Sequence, residues 1–220
     1  MIRFASVSDY SGIIKIWNSA FGDSFEYIEK FLSLFGEYSV VSENDGRIDG
    51  IMSLLPVSLN NKNGRYIYAV AVSKEKRGQG IGKELIDFAK VNSEDFCILV
   101  PADKGLFEYY RKLGFFDNSY IAECKKTDND EEISVKEYIE LRDKYFNGTN
   151  YIKWNEEQLI KISSLYDAKF YKNKESTEIS MLSKDRIIEC LGDKKPVGKR
   201  LFSMIYPEKF KNSYFNIALD

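Results

Sequence analysis

The sequence predicts an α/β chain with a mixed, mostly antiparallel central sheet flanked by helices, followed by a smaller α+β part. Three observations predict it. A strand and two amphipathic helices open the chain and lead into an antiparallel meander; a strand, a glycine-rich turn and a helix follow in that order; and a charged run without apolar residues, Lys125–Glu132, separates this layout from a less regular second part. The expected division is residues 1–126 and 127–220.

Met1–Val7 reads as a short strand, and Asp9 stands where it can cap a helix whose Ile13, Ile14, Ile16, Trp17 and Phe21 form an apolar stripe for the core. Asp23 or Ser24 starts a second helix, in which Tyr27, Ile28, Phe31, Leu32 and Phe35 recur at helical spacing before Gly36 stops it. Tyr38–Glu43 and Ile48–Leu59 read as strands joined at Asn44-Asp45-Gly46, and a second turn, Asn60–Gly64, leads into the strand Tyr66–Val72. Ile81, Leu85, Phe88 and Ala89 mark a helix, Phe96–Val100 a strand, and Leu106, Phe107, Tyr110 and Leu113 a helix capped by Asp103 and ended by Gly114. Phe115–Cys124 returns as a strand pair or a bent strand. Beyond the charged run, helices are expected over 135–146 and 156–165, and short strands near 168–171, 178–182, 186–191, 201–206 and 214–219.

Composition removes several classes of function. The 32 basic and 34 acidic residues leave a formal charge of −2, so no global field draws the chain to nucleic acid or to an anionic membrane. No apolar stretch approaches the roughly 18–20 residues that span a bilayer, and a cytoplasmic protein is the expectation. The chain has no histidine, which excludes imidazole as base or ligand, and no metal site is expected. Cys97, Cys124 and Cys190 are odd in number and widely spaced, which predicts reduced thiols.

Chemistry concentrates at Arg77-Gly78-Gln79-Gly80-Ile81-Gly82-Lys83, where glycines at a strand-to-helix junction let backbone N–H groups converge on an anion. The helix start adds its positive dipole end, and Lys74 and Lys76 add charge, so a pyrophosphate suits the turn. Arg77, Gly80 and Gly82 match, position for position, the Arg-x-x-Gly-x-Gly motif A of the GCN5-related N-acetyltransferases, and Tyr110-x-x-Leu113-Gly114-Phe115 is similar to their motif B. Residues 1–124 thus resemble that family, and the layout as a whole resembles its two-part members with a degenerate second half.

The resemblance implies acetyl-CoA as co-substrate, with the turn holding its pyrophosphate and the backbone of Val70, Ala71 and Val72 holding its pantetheine arm. It implies attack by an amine on the thioester, with Tyr110 as the acid beside the leaving thiolate. The base is less evident, because no carboxylate lies between Arg65 and Ser73; Glu43, Asp23 or Glu26 are alternatives, as is a water chain. Asp220 is a further candidate, since a terminal carboxylate enters the active site in some two-part relatives. The acceptor is expected to be a small amine contacted by the Asn18–Glu26 connection, the Val57–Gly64 turn and the second part, with no nucleic-acid or membrane partner. A non-catalytic acetyl-CoA sensing module remains the alternative.

Overall fold

Two pairs of residues with positive φ shape the first sheet. In the computed structural model, which describes residues 1–117, 119–120, 130–184, 186–192, 203–208, 213–215, 217 and 219, the edge strand β1 (Ile2–Phe4) is followed by helices α1 (Tyr10–Phe21) and α2 (Phe25–Phe35). Ser24 settles the start of α2 by accepting a bond from the Tyr27 N–H. Then β2 (Ser39–Asn44) turns through Asp45 and Gly46 into β3 (Arg47–Leu59), and β3 turns through Asn60 and Asn61 into β4 (Lys62–Val72). All four turn residues have φ between 49° and 75°, the geometry that matches the right-handed twist of a hairpin. The second turn is therefore shorter than expected. Asparagine tolerates the left-handed conformation, so Gly64 is released to the strand, where a side chain would lie 2.5 Å from the Phe96 ring.

Helix α3 (Ile81–Val91), β5 (Phe96–Leu99), α4 (Lys104–Lys112) and the short β6 (Phe116–Asp117) and β7 (Ser119–Tyr120) follow. The second part contributes β8 (Asp130–Ile133), α5 (Val135–Tyr145), β9 (Asn150–Tyr151), α6 (Glu156–Tyr166), β10 (Lys169–Asn173), β11 (Ile179–Leu182), β12 (Ile187–Leu191), β13 (Met204–Tyr206) and β14 (Ser213–Tyr214). Other portions of the strands expected over 201–206 and 214–219 lie outside the described residues.

The first sheet runs β1-β2-β3-β4-β5-β13-β6, with β4 and β5 parallel and the other pairs antiparallel. A mixed, mostly antiparallel sheet is thus observed. Its membership is less local than expected, because β13 inserts between β5 and β6, pairing Ile205 with Ile98 and with Phe116. Smaller sheets, β12-β11-β10-β8 and β7-β14-β9, complete the fold.

Alternation along β4 divides the core into two layers. Ile67 and Val70 pack with α3 and α4, whereas Tyr66, Tyr68 and Ala71 pack with α1 and α2. The second layer extends without a break into Tyr138 of α5, Leu159 and Ile162 of α6, and Phe215. Helices α2 and α6 are also tied by Lys30–Asp167, at 2.9 Å. No helix among the described residues is long and apolar enough to cross a membrane. Cys97 is a buried free thiol, but Cys190 is disulfide-bonded, which corrects the expectation of three reduced thiols; an odd count says nothing about which sulfurs meet in space.

Candidate active site

The site begins where two neighbouring strands part. Pairing of β4 with β5 runs from Gly64–Phe96 to Ile67–Leu99, after which β4 continues to Val72 without β5 beside it. On its other edge, Ser53 pairs with Tyr68 while Ile51 pairs with Ala71, so β4 carries an extra residue there. Ala69 absorbs the bulge at φ 52°, a conformation that costs an L-residue about 1–2 kcal/mol. Such strain marks functional sites. A cavity of ≈ 360 Å³ opens in the gap, walled by Tyr66–Val70 of β4, Leu99 at the end of β5 and Val100 after it, and Leu106 and Tyr110 of α4.

At the far end of β4 the glycine-rich turn takes the predicted form. Gly78 and Gly80 have φ 78° and 88°, Gly80 is the N-cap of α3, and open space lies on the side where a Cβ would project from either. The first N–H groups of α3 have no intrahelical partner, so this end of the helix offers donors and a positive dipole to an anion. Arg77 folds back to the Val72 carbonyl at 3.3 Å, Gln79 bonds the Glu75 carbonyl at 3.2 Å, and Lys83 pairs with Asp87 at 2.7 Å. Of the strand residues expected to meet the cofactor, Val70 lines the cavity, while Ala71 is buried against Ile51 and Val72 ends the strand beside Gly82.

Tyr110 is 7% exposed and faces the cavity; burial above all, then the Tyr109 and Asp103 charges, push its phenol up to about 12. Its neighbour Tyr109 reaches across to α3, where a Cβ on Gly82 would lie 3.3 Å from its hydroxyl. Nothing in the spacing of α4 alone indicates that convergence of two helices.

Of the three acids considered as bases, Asp23 lines the cavity; its Oδ2 accepts a bond from Trp17 Nε1 at 2.7 Å, and its carbonyl accepts one from Asn18 at 2.9 Å. Glu26 is exposed on α2, and Glu43 accepts from the Gly46 N–H at 2.9 Å at the opposite end of the meander. Trp17, Phe21 and Tyr68 complete an aromatic wall, of which the sequence pattern assigns Trp17 and Phe21 to the core. Tyr68 Oη lies 3.2 Å from Tyr27 Oη, which lies 3.3 Å from Tyr166 Oη, and burial pushes the Tyr27 and Tyr68 phenols up. Tyr66 donates to the Leu219 carbonyl at 3.2 Å, and Leu219 itself lines the cavity; Asp220 lies outside the described residues. Among the described residues no group of His, Cys, Asp or Glu is arranged to hold a metal ion.

Residues 35–116 match the family model described as the acetyltransferase (GNAT) domain. That segment, 82 of the 220 residues, is similar to the GNAT acetyltransferase domain. The whole chain is like solved structures in fold. A Pyrococcus horikoshii protein assigned as an acetyltransferase superposes with a TM-score of 0.68 at 14% identity, covering 96% of this chain and 90% of that one. GCN5-related N-acetyltransferases of Kribbella flavida and Anabaena variabilis give TM-scores of 0.62 and 0.63 at 11% and 18% identity, with 95% and 89% of this chain covered. The alignments span 65% and 59% of those two proteins. No curated protein matches the sequence.

The GNAT match encloses the bulged β4, the glycine-rich turn and Tyr110. Trp17, Phe21, Asp23 and Leu219 lie outside it. The side of the cavity formed by β4 and α4 therefore lies within the matched segment, and the opposite wall comes from parts of the chain outside it.

Proposed function

We propose that the chain transfers the acetyl group of acetyl-CoA to the primary amine of a small molecule. The observation that carries this reading is the continuity of three features: the Gly78–Gly82 turn, the unpaired edge of β4 and the cavity beneath Tyr110. The backbone N–H groups of Gly78, Gln79, Gly80, Ile81 and Gly82 hold the pyrophosphate, with Arg77 and Lys83 supplying charge. The edge of β4 at Val70, Ala71 and Val72 pairs with the amides of the pantetheine arm, which delivers the thioester to the bulge at Ala69.

The amine nitrogen attacks the thioester carbonyl, forming the C–N bond and a tetrahedral oxyanion that backbone N–H groups stabilise. Its collapse breaks the C–S bond. Full proton transfer from a phenol at about 12 to a thiolate whose acid lies near 8.5 runs uphill by about 5 kcal/mol, so Tyr110 acts by donating a hydrogen bond to the departing sulfur. An alkylammonium near 10.4 must first lose a proton, at a cost of about 4–5 kcal/mol at pH 7. Asp23 is the described carboxylate within reach of that proton. Asp220 stays a candidate for the same role because its neighbour Leu219 lines the cavity.

Calorimetric titration of acetyl-CoA, followed by thiol release across a panel of small amines, tests the reading. Binding with amine-dependent thiol release is the expected result. Binding without release on any amine would identify a sensing module instead, and absence of binding to the folded chain would refute the assignment.

A further inference from the structure

We propose that the acceptor is a singly charged primary amine with an aromatic or similarly apolar body, its ammonium on Asp23 and its body against Trp17, Phe21 and Tyr68; this rests on the acetyl-transfer reading above. Charge is the first argument. Asp23 is the one charged side chain among the described residues that line the cavity, and one of its oxygens is already held by Trp17 Nε1 at 2.7 Å. The bond fixes the carboxylate and leaves Oδ1 for a donor. Among the described residues that line the cavity, a second ammonium on the same molecule would find no second carboxylate.

Apolar surface is the second argument. Trp17 stands edge-on to Tyr68 at 5.5 Å and to Phe21 at 6.4 Å, so the three rings form one continuous wall beside the carboxylate. Aromatic faces next to a carboxylate attract an alkylammonium through the ring quadrupole as well as through charge. Phe21 belongs to the apolar stripe of α1 and lines the cavity, yet it is 44% exposed. The described residues leave much of that ring uncovered, and an apolar acceptor body would cover it.

Volume is the third. The cavity of ≈ 360 Å³ lies at the small end for a ligand site, and the acetylated end of the cofactor must share it. That suits a compact aminoalkyl group.

The test compares kcat/KM for 2-phenylethylamine, spermidine and a lysine-containing peptide on the full chain, with thiol release as readout. The expected order puts 2-phenylethylamine at least about tenfold above both others. Asp23→Asn keeps an acceptor for Trp17 Nε1 but removes the charge, and should lower kcat/KM for 2-phenylethylamine on the order of 10–100-fold. Phe21→Ala, at a partly exposed position that folding tolerates, should raise KM for 2-phenylethylamine more than for ethylamine. Preference for spermidine or the peptide would overturn the proposal while leaving acetyl transfer intact, as would equal KM effects of Phe21→Ala on the two monoamines. Calorimetry with acetyl-CoA separates the two levels: bound cofactor with no turnover of any amine refutes the transfer reading, and this inference falls with it. If Asp23→Asn does not fold, the wild-type ranking and Phe21→Ala decide.

Discussion

Alanine at Gly80 separates the strain of a backbone conformation from the loss of a ligand site. Gly80 has φ 88° and ψ −10°, and a Cβ there would meet no atom within 4 Å. No clash is added, so the cost to folding is that of a left-handed L-residue, about 1–2 kcal/mol. In a chain of this size each kcal/mol moves the melting temperature by about 2–4 °C, which predicts a fall of about 2–8 °C. Gly148, with φ 76° and equally open space, lies in the turn after α5, so Gly148→Ala carries the same backbone cost far from the cofactor groove. Their binding behaviour should differ. A methyl on the open face of the turn displaces a phosphate from its N–H donors, and losing one such charge-assisted bond, worth about 1.5–3 kcal/mol, raises Kd about 10–150-fold. Calorimetry with acetyl-CoA and thermal melts of both variants make the comparison. Equal Kd values for Gly80→Ala, Gly148→Ala and wild type would refute the assignment of this turn as the pyrophosphate seat.

Tyr110→Phe should lower kcat about 10–100-fold while leaving the Kd for acetyl-CoA within about twofold, because the hydrogen bond it removes matters once negative charge builds on sulfur. With its phenol held near 12, Tyr110 should contribute no falling limb to the wild-type pH–rate profile below about pH 11, and a Phe-sensitive limb near pH 10 would contradict the buried geometry. Burial first of all raises Cys97 from 9.0, and Tyr110 and Tyr145 from 10.0, to about 12 in the folded chain. Folded values above unfolded ones mean that their contribution is complete below pH 9 and disappears as pH rises toward 12; urea midpoints at pH 8, 10 and 11 should therefore fall in that order. Arg142 and Glu189 are both buried, with Nε–Oε2 at 2.8 Å, Nη2–Oε1 at 3.1 Å and a further bond from Tyr138 at 2.5 Å. Arg142→Met should cost about 3–5 kcal/mol by chemical denaturation, and adding Glu189→Met should restore part of that loss, since the damage lies in the carboxylate left unpaired.

Much of the catalytic half was legible in the sequence because the interactions that specify it are short-range. The start of α2 at Ser24, the Asp45-Gly46 turn and the glycine pattern from Gly78 to Gly82 each depend on atoms a few residues apart. Helical periodicity likewise marked Tyr110 and the face it shares with Phe107. Where the sequence misled, the error came from reading a side chain by its element alone. Phe21 fits the stripe of α1 but is half-exposed and lines the cavity, and Gly64 looks like a turn residue yet makes room for Phe96.

By itself, then, the sequence determined the order of elements in the first part, the Asp45-Gly46 turn, and the glycine-rich turn at the start of α3. Tertiary structure alone decided that β13 sits between β5 and β6, that β4 bulges at Ala69 as β5 leaves it, and that Trp17, Asp23, Tyr68 and Leu219 share one cavity. The physical reason is range. A cap or a turn is chosen by neighbours along the chain, whereas a strand's partner and a cavity's walls are chosen by which apolar faces bury best together, over separations as long as the 153 residues between Tyr66 and Leu219.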